Sequence, residues 1–457
     1  MENSKANKPL SITQAPVEQL KIDSRNARIH SKSQIRQIAR SIERFGFNVP
    51  ITVDKNNKVV SGNGRLEAAR LLDINTVPIV RLDHLSENQI KAFAIADNKL
   101  SDNSEWDAGL LGQIFDELSK ADLDFQLEDT GFTMAEIDIL IENLGCPDGS
   151  FDPLDIPNSS LTGPPVCKPR DLWQLNSHRL LCGNCLEPDS YKLLMNESKG
   201  QIVFVDPPFD IAIGGNVSSN KSTHHREFLM GSGELGSEKF TQFLSKLFEL
   251  LIQHTDPSSL HACCMDWRHG LEILNASKGN YTELKNICVW VKDKPGMGSL
   301  FRSQHEFFYI FKNGKSAHRN NIALGKYGRS RSNVWHYPSA STMTRKGTDG
   351  NLLAFHPTSK PIALVADFLL DCSARNDVVI DSCLGGGTTL LAAQRTGRIC
   401  YAMDLDSLYV DTAIRRWQAM TGEDAILLST GQTFNEIEKM QPPLQIPHTH
   451  ITTTHKS

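Results

Sequence analysis

The chain has 457 residues, 39% of them apolar and 22% charged, with a formal net charge of −5. Such a chain is long enough for two or three domains with full cores, and a soluble globular protein is the expectation. No stretch reaches the roughly 20 uninterrupted apolar residues of a membrane span, and the opening MENSKANKPLSITQ lacks a signal-peptide core, which excludes those classes and predicts a cytoplasmic location.

Residues 1–145 carry several short strand and helix signals and close on two helical stretches, Trp106 to Ala121 and Thr133 to Leu144, which predicts one compact domain. From residue 146 to 169 the chain reads CPDGSFDPLDIPNSSLTGPPVCKP, the composition of a linker. After it, apolar runs of strand length alternate with amphipathic helices: Ile202 to Val205, Phe240 to Gln253, Leu260 to Met265 and Ile287 to Val291. A second set follows, with a helix at Pro361 to Cys372, a strand at Val378 to Asp381, a helix from Thr388, a strand at Ile399 to Asp404 and a helix from Ser407. The alternation predicts an α/β sheet of mainly parallel strands over 170–430, with residues 431–457 as a disordered tail carrying His448, His450 and His455. The ten cysteines are too sparse for a disulfide scaffold and are read as reduced thiols; Cys182 and Cys185 have metal-like spacing but no second pair, so no metal site is expected.

Two loops stand out. The tetrapeptide Asp206-Pro207-Pro208-Phe209 follows the strand ending at Val205. Its prolines fix φ and remove two backbone donors, leaving a stiff loop whose carbonyls are free to accept and whose carboxylate lies beside an aromatic face. Further on, Asp381 closes a strand and is followed by Gly385, Gly386, Gly387 and Thr388, a run that lets backbone approach a ligand at a helix N-terminus. About twenty residues later Asp404 closes the next strand, where a nucleotide-binding sheet places a carboxylate for ribose hydroxyls. No lysine follows the glycines as a phosphate loop would require, and helix capping by Asp404 and Asp406 is the plainer alternative.

Taken together and in this order, the Asp206 loop, the stretch WVKDKPGMGSLFRSQHEFFYIFKNG, the element His356-Pro-Thr-Ser-Lys360-Pro361 and the glycine loop resemble the N4/N6 amino-methyltransferase family of DNA-modifying enzymes over about residues 165–422. The catalytic loop precedes the cofactor loop, as in the beta class, with a target-recognition region between them. The resemblance implies a Rossmann-like sheet and S-adenosylmethionine as methyl donor. Asp206, Pro207, Pro208 and Phe209 match its catalytic tetrad; Asp381, Gly385, Gly387, Thr388, Asp404 and Lys360 fall at or near its cofactor positions. Asp206 and the Pro207 carbonyl would accept the N–H groups of an exocyclic amine, and Phe209 would stack on a base extruded from the duplex. The chain departs from the family at Asp381-Ser-Cys-Leu, where Asp-Pro-Phe is usual, and at Asn184, where Asp is frequent.

The N-terminal pattern Val59-Val60-Ser-Gly62-Asn-Gly64-Arg65, followed by Val77-Pro-Ile-Val80, is similar to the ParB/sulfiredoxin-like α+β fold over about residues 10–100. That likeness makes Arg65 a candidate nucleic-acid contact. No acid occurs between Phe307 and Thr348, while Lys326, Arg329, Arg331, Arg345 and Lys346 fall there among aromatics. In an acidic chain this one-signed run, taken as the target-recognition region at about 307–350, predicts contact with DNA phosphates. The expectation is therefore a DNA methyltransferase acting on double-stranded DNA at adenine N6, the Asp that opens the tetrad favouring adenine by resemblance. Cytosine N4 is the nearest alternative, an idle DNA-binding regulator the more distant one, and methylation of RNA or protein a third. The sequence leaves the oligomeric state open, a homodimer being one option.

Overall fold

The structure, a computed structural model, describes residues 10–22, 28–142, 164–210, 235–296, 300–325, 329–338 and 360–440. It divides into two compact units, Met1–Gly145 and Cys146–Ser457.

The first unit runs β1 (Ile12–Pro16), α1 (Lys32–Phe45), β2 (Ile51–Val53), β3 (Val59–Ser61), α2 (Asn63–Leu71), β4 (Thr76–Arg81), α3 (Glu87–Asp102), α4 (Ala108–Lys120) and α5 (Met134–Glu142). Its sheet has the order β1-β4-β2-β3, with β2 and β4 parallel. Ile51, Val53, Leu66, Val77 and Ile79 are fully buried between this sheet and its helices. Gly62 joins β3 to α2 at φ 100°, a conformation that costs a side chain dearly. The helices expected from Trp106 and Thr133 start later, because Asp107 caps the first by accepting from the Leu110 amide at 2.9 Å and Thr133 accepts from the Glu136 amide ahead of the second.

In the second unit the elements are β5 (Leu172–Leu175), β6 (His178–Cys182), α6 (Pro188–Met195), β7 (Gly200–Val205), α7 (Gly236–Gln253), β8 (Thr255–Met265), α8 (Gly270–Ser277), β9 (Glu283–Val291), β10 (His305–Lys312), β11 (Val334–His336), α9 (Ile362–Cys372), β12 (Val378–Asp381), α10 (Thr388–Thr396), β13 (Ile399–Asp404), α11 (Ser407–Thr421), β14 (Ile426–Leu427) and α12 (Phe434–Met440). They build a ten-stranded sheet of order β11-β9-β10-β8-β7-β12-β13-β6-β5-β14. Its centre, β8-β7-β12-β13-β6, is parallel, and antiparallel partners flank it. Parallel strands are covered on both faces. Along β7, Ile202 and Phe204 enter one core and Val203 and Val205 the other, which is why this strand reads as an unbroken apolar run.

The topology fixes where a ligand can sit. From β7 the chain crosses through α7 to β8 on one side, and from β12 through α10 to β13 on the other. Because β7 and β12 are neighbours, the two connections diverge between them and open a crevice at their carboxyl ends, the place where open α/β sheets bind ligands. Asp206 follows β7, Asp381 ends β12 and Asp404 ends β13, so the three acids line one edge.

Three boundaries depart from expectation. Val166 and Cys167, inside the expected linker, are buried and donate their amides to the Asp411 carboxylate of α11 at 2.8 and 2.9 Å. The expected tail begins as α12, whose Phe434 is fully buried edge-on against Trp173 at 5.5 Å. The expected target-recognition region starts with β10, which is an interior strand paired with both β8 and β9. His448, His450 and His455 lie outside the described residues.

Candidate active site

The Asp206-Pro207-Pro208-Phe209 loop leaves the carboxyl end of β7 directly into the crevice. The Lys360 ammonium donates to Asp206 Oδ2 at 2.6 Å, while Asp206 Oδ1 is buried with no hydrogen-bond partner among the described residues and the Cys264 thiol faces the same carboxylate. Phe209 is half-buried against both cores, with Lys360 Nζ 5.7 Å from its ring centroid. Lys360 Nζ also lies 3.1 Å from Glu306 Oε2, and Glu306 Oε1 accepts from Lys292 Nζ at 2.5 Å. The four groups form a chain of alternating charge with no net charge. Burial works against the Lys360 ammonium, but Asp206 and Glu306 hold its pKa well above the ordinary value. Burial likewise opposes ionisation of Glu306, yet Lys360 and Lys292 draw its pKa down to about 2. The Asp206 carboxyl is raised by burial, with Lys360 opposing and the Glu306 charge adding to the rise.

Beside this cluster lies the glycine loop. Asp404 Oδ2 accepts the Gly385 amide at 2.8 Å and its Oδ1 the Asp406 amide at 2.9 Å. Asp381 Oδ1 accepts the Cys383 amide at 3.0 Å. Gly387 has φ 92°, and a Cβ there would come 2.9 Å from the Ala413 backbone, so only glycine lets α10 pack this close to α11. Burial raises Asp381 to about 7 and Asp404 to about 6, against the hydrogen bonds each accepts. Thr388 opens α10, and its hydroxyl donates to the Lys360 carbonyl at 3.3 Å.

Residues 201–415 match the family described as DNA methylase. Residues 1–99 match the ParB N-terminal domain and 109–169 the ParB-methyltransferase HTH domain. The chain carries a DNA methylase domain of the N6/N4 type behind a ParB-type N-terminus. One relative of the methylase is the Type II methyltransferase M2.MboI of Moraxella bovis, 22% identical over 255 residues, 52% of this chain and 87% of that protein. The N-terminal part of this chain is 35% identical over 80 residues to the ParB-like nuclease domain-containing protein YnaK of Escherichia coli (strain K12), 18% of this chain and 92% of that one. Among solved structures, M1.HpyAVI in complex with SAM is similar at 19% identity and a TM-score of 0.36, covering 52% of this chain and 98% of that one.

The donor of such a methylase is S-adenosylmethionine, and the residues present suit it. The carboxylates that close β12 and β13, Asp381 buried and Asp404 half-buried, offer acceptors, and the glycine turn that opens α10, with Gly385 at φ 56° and Gly387 at φ 92°, offers the close backbone approach that an adenosine-bearing cation requires. Ser382 and Cys383, which replace the family's usual residues, are accommodated: Ser382 Oγ accepts from Tyr191 at 2.9 Å, and Cys383 Sγ lies 4.0 Å from Cys185 Sγ.

The methylase corrects several expectations about single residues. Lys360 meets the helix of the glycine loop through its carbonyl, while its ammonium pairs with Asp206 and Glu306. Glu306 and Lys292 were not singled out in the sequence; the signal was an acid inside the apolar strand HEFFYIFK, since a buried carboxylate demands a cationic partner. Arg329 and Arg331 do not present free cations. Their guanidiniums are locked to Asp367 and Asp371 of α9 at 2.7 to 3.1 Å. Arg65 folds back half-buried, donating to the Pro50 carbonyl at 3.4 Å near Asp97, so it is no exposed phosphate contact. Lys326, Arg345 and Lys346 lie outside the described residues.

Proposed function

We propose that the methylase transfers a methyl group from S-adenosylmethionine to the N6 amine of adenine in double-stranded DNA. The observation that carries the reading is the Asp206 carboxylate, with Oδ2 fixed by Lys360 at 2.6 Å and Oδ1 buried and unpaired at the crevice. An adenine amine has its lone pair delocalised into the ring. It becomes nucleophilic when its N–H groups are held by acceptors, and Asp206 Oδ1 with the Pro207 carbonyl supply two. Phe209 stacks on the extruded base, worth about 1–3 kcal/mol against an unstacking cost of a few kcal/mol. When bound, the donor supplies an electrophilic methyl on a sulfonium. The protein's work is alignment and acceptance of the amine's proton density, so no covalent enzyme intermediate is needed. Asp381, Gly385, Gly387 and Asp404 are assigned to hold the donor. The tetrad's opening Asp favours adenine over cytosine, and the ParB-type part is read as an accessory that holds DNA.

The test is transfer of a labelled methyl group to mixed-sequence duplex DNA, followed by digestion to nucleosides. N6-methyladenine is the expected product. N4-methylcytosine would keep the mechanism and replace the target, whereas no modified base with the donor bound would remove the reading in favour of RNA, protein or an idle regulator.

A further inference from the structure

We propose that Glu306 is a positioning residue for methyl transfer, acting through Lys360: it holds the lysine ammonium on one oxygen of Asp206 and so keeps the buried, unpartnered second oxygen for the target amine. This rests on the reading of Asp206 as the acceptor for that amine. Glu306 sits on β10 opposite Trp290 of β9, an interior position where an apolar side chain would pack at no electrostatic cost. Burying a carboxylate there is expensive, and truncating it would leave its cations uncompensated. Both oxygens of Glu306 are nevertheless engaged by donors. Oε1 takes Lys292, and Oε2 takes Lys360 together with the Cys264 thiol at 3.4 Å. Lys292 is itself fixed over the Trp290 ring at 4.8 Å.

The consequence lies in how Lys360 divides its donors. With Glu306 present, the ammonium is shared between two carboxylates. Without it, Asp206 is the carboxylate of the described residues that stays paired with the ammonium, and more of the lysine charge falls on the group that must accept from the amine. Lys360 would be free to straddle both Asp206 oxygens and would weaken them as acceptors. The groups facing Asp206 are Lys360 from the segment entering α9, Glu306 from β10, Cys263 and Cys264 from β8, and Asp381 from β12. Among these, Glu306 and Lys360 are the pair that a substitution at Glu306 re-divides.

The experiment compares the pH profile of kcat, the cofactor Kd and the melting temperature of the full chain with those of Glu306→Gln and Lys292→Met. The Gln variant keeps the shape but not the charge. Its acid limb should move about half a pH unit or more downward, and kcat on the plateau should fall roughly tenfold while cofactor Kd stays within about twofold. Lys292→Met should move the limb the other way, because Glu306 then draws harder on Lys360. Glu306→Asp, which restores the charge, should return the limb toward the wild type. A merely structural role would lower the melting temperature and leave both limbs in place, and that result overturns the proposal. If Glu306→Gln does not fold, the upward limb of Lys292→Met decides: its presence supports the proposal and its absence removes it. Wild-type protein that methylates no DNA would instead sink the underlying reading, so the two failures are distinct.

Discussion

The Thr388 hydroxyl donates to the Lys360 carbonyl at 3.3 Å, and the same lysine donates from Nζ to Asp206 Oδ2 at 2.6 Å. One residue thus ties the helix of the glycine loop to the proposed catalytic carboxylate. Removing the hydroxyl with Thr388→Val should loosen Lys360 rather than the donor site. One hydrogen bond of about 1 kcal/mol corresponds to a loss in kcat of roughly fivefold, with a smaller change in cofactor Kd. Steady-state kinetics beside calorimetric binding checks this, and an equal loss in both would show that Thr388 serves the donor alone.

Asp206→Ala removes the one side-chain acceptor of this loop that is buried and unpaired among the described residues. Methyl transfer should fall by about a thousandfold or more, while cofactor binding stays close to wild type. Asp404→Ala should do the reverse, weakening cofactor binding first, because its carboxylate both orders the Gly385 amide and faces the donor site. Normal turnover by the Asp206 variant would end its catalytic assignment.

Burial raises Asp404 to about 6 and Asp381 to about 7. A ribose hydroxyl donates best to an ionised carboxylate, so cofactor affinity should be highest above pH 7 and weaken by up to about tenfold per unit below 6, as Asp404 takes a proton. Asp404→Asn should flatten that dependence. The stability effect runs the other way. A buried acid whose folded pKa is raised binds its proton more tightly folded than unfolded, so its contribution to stability is present at acid pH and is lost as pH climbs through the folded value. Asp381→Asn should therefore melt higher than wild type at pH 8 and gain much less at pH 5, measured by calorimetry on the unliganded protein.

Much of this site was legible because the parallel strands advertise themselves. Strand β7 is covered on both faces and so reads as a continuous apolar run, and the acid that ends it is conspicuous for the same reason; β12 with Asp381 and β13 with Asp404 repeat the pattern. What stayed hidden depends on partners distant in sequence. Asp206 and Lys360 are 154 positions apart, and nothing local marks the lysine as the partner of the Asp206 loop rather than of the glycine loop. The buried amides of Val166 and Cys167 looked like linker because their acceptor, Asp411, lies 245 and 244 positions on. Within the one-signed run at 307–348, Arg329 and Arg331 were misjudged for a related reason: a charge count along the chain omits Asp371, which meets Arg331 from 40 positions away.

Arg329 and Arg331 give that last point a test. Arg329 reaches Asp371 Oδ1 at 2.9 Å and Asp367 Oδ1 at 3.1 Å, and Arg331 reaches Asp371 Oδ2 at 3.0 Å and Asp367 Oδ2 at 2.7 Å. Each carboxylate bridges both guanidiniums, and Arg331 also donates to the Tyr337 hydroxyl at 3.0 Å. Replacing Arg329 by Ala leaves Asp371 buried with one cation where two were arranged, and breaking a buried pair in this way costs about 3–5 kcal/mol. A phosphate contact would behave differently. Its loss would spare stability and reduce the slope of log affinity against log salt by about one. Arg329→Ala should therefore unfold at markedly lower temperature or denaturant, while the folded fraction keeps the wild-type salt slope for duplex DNA. A reduced slope at unchanged melting temperature would return both arginines to the DNA surface.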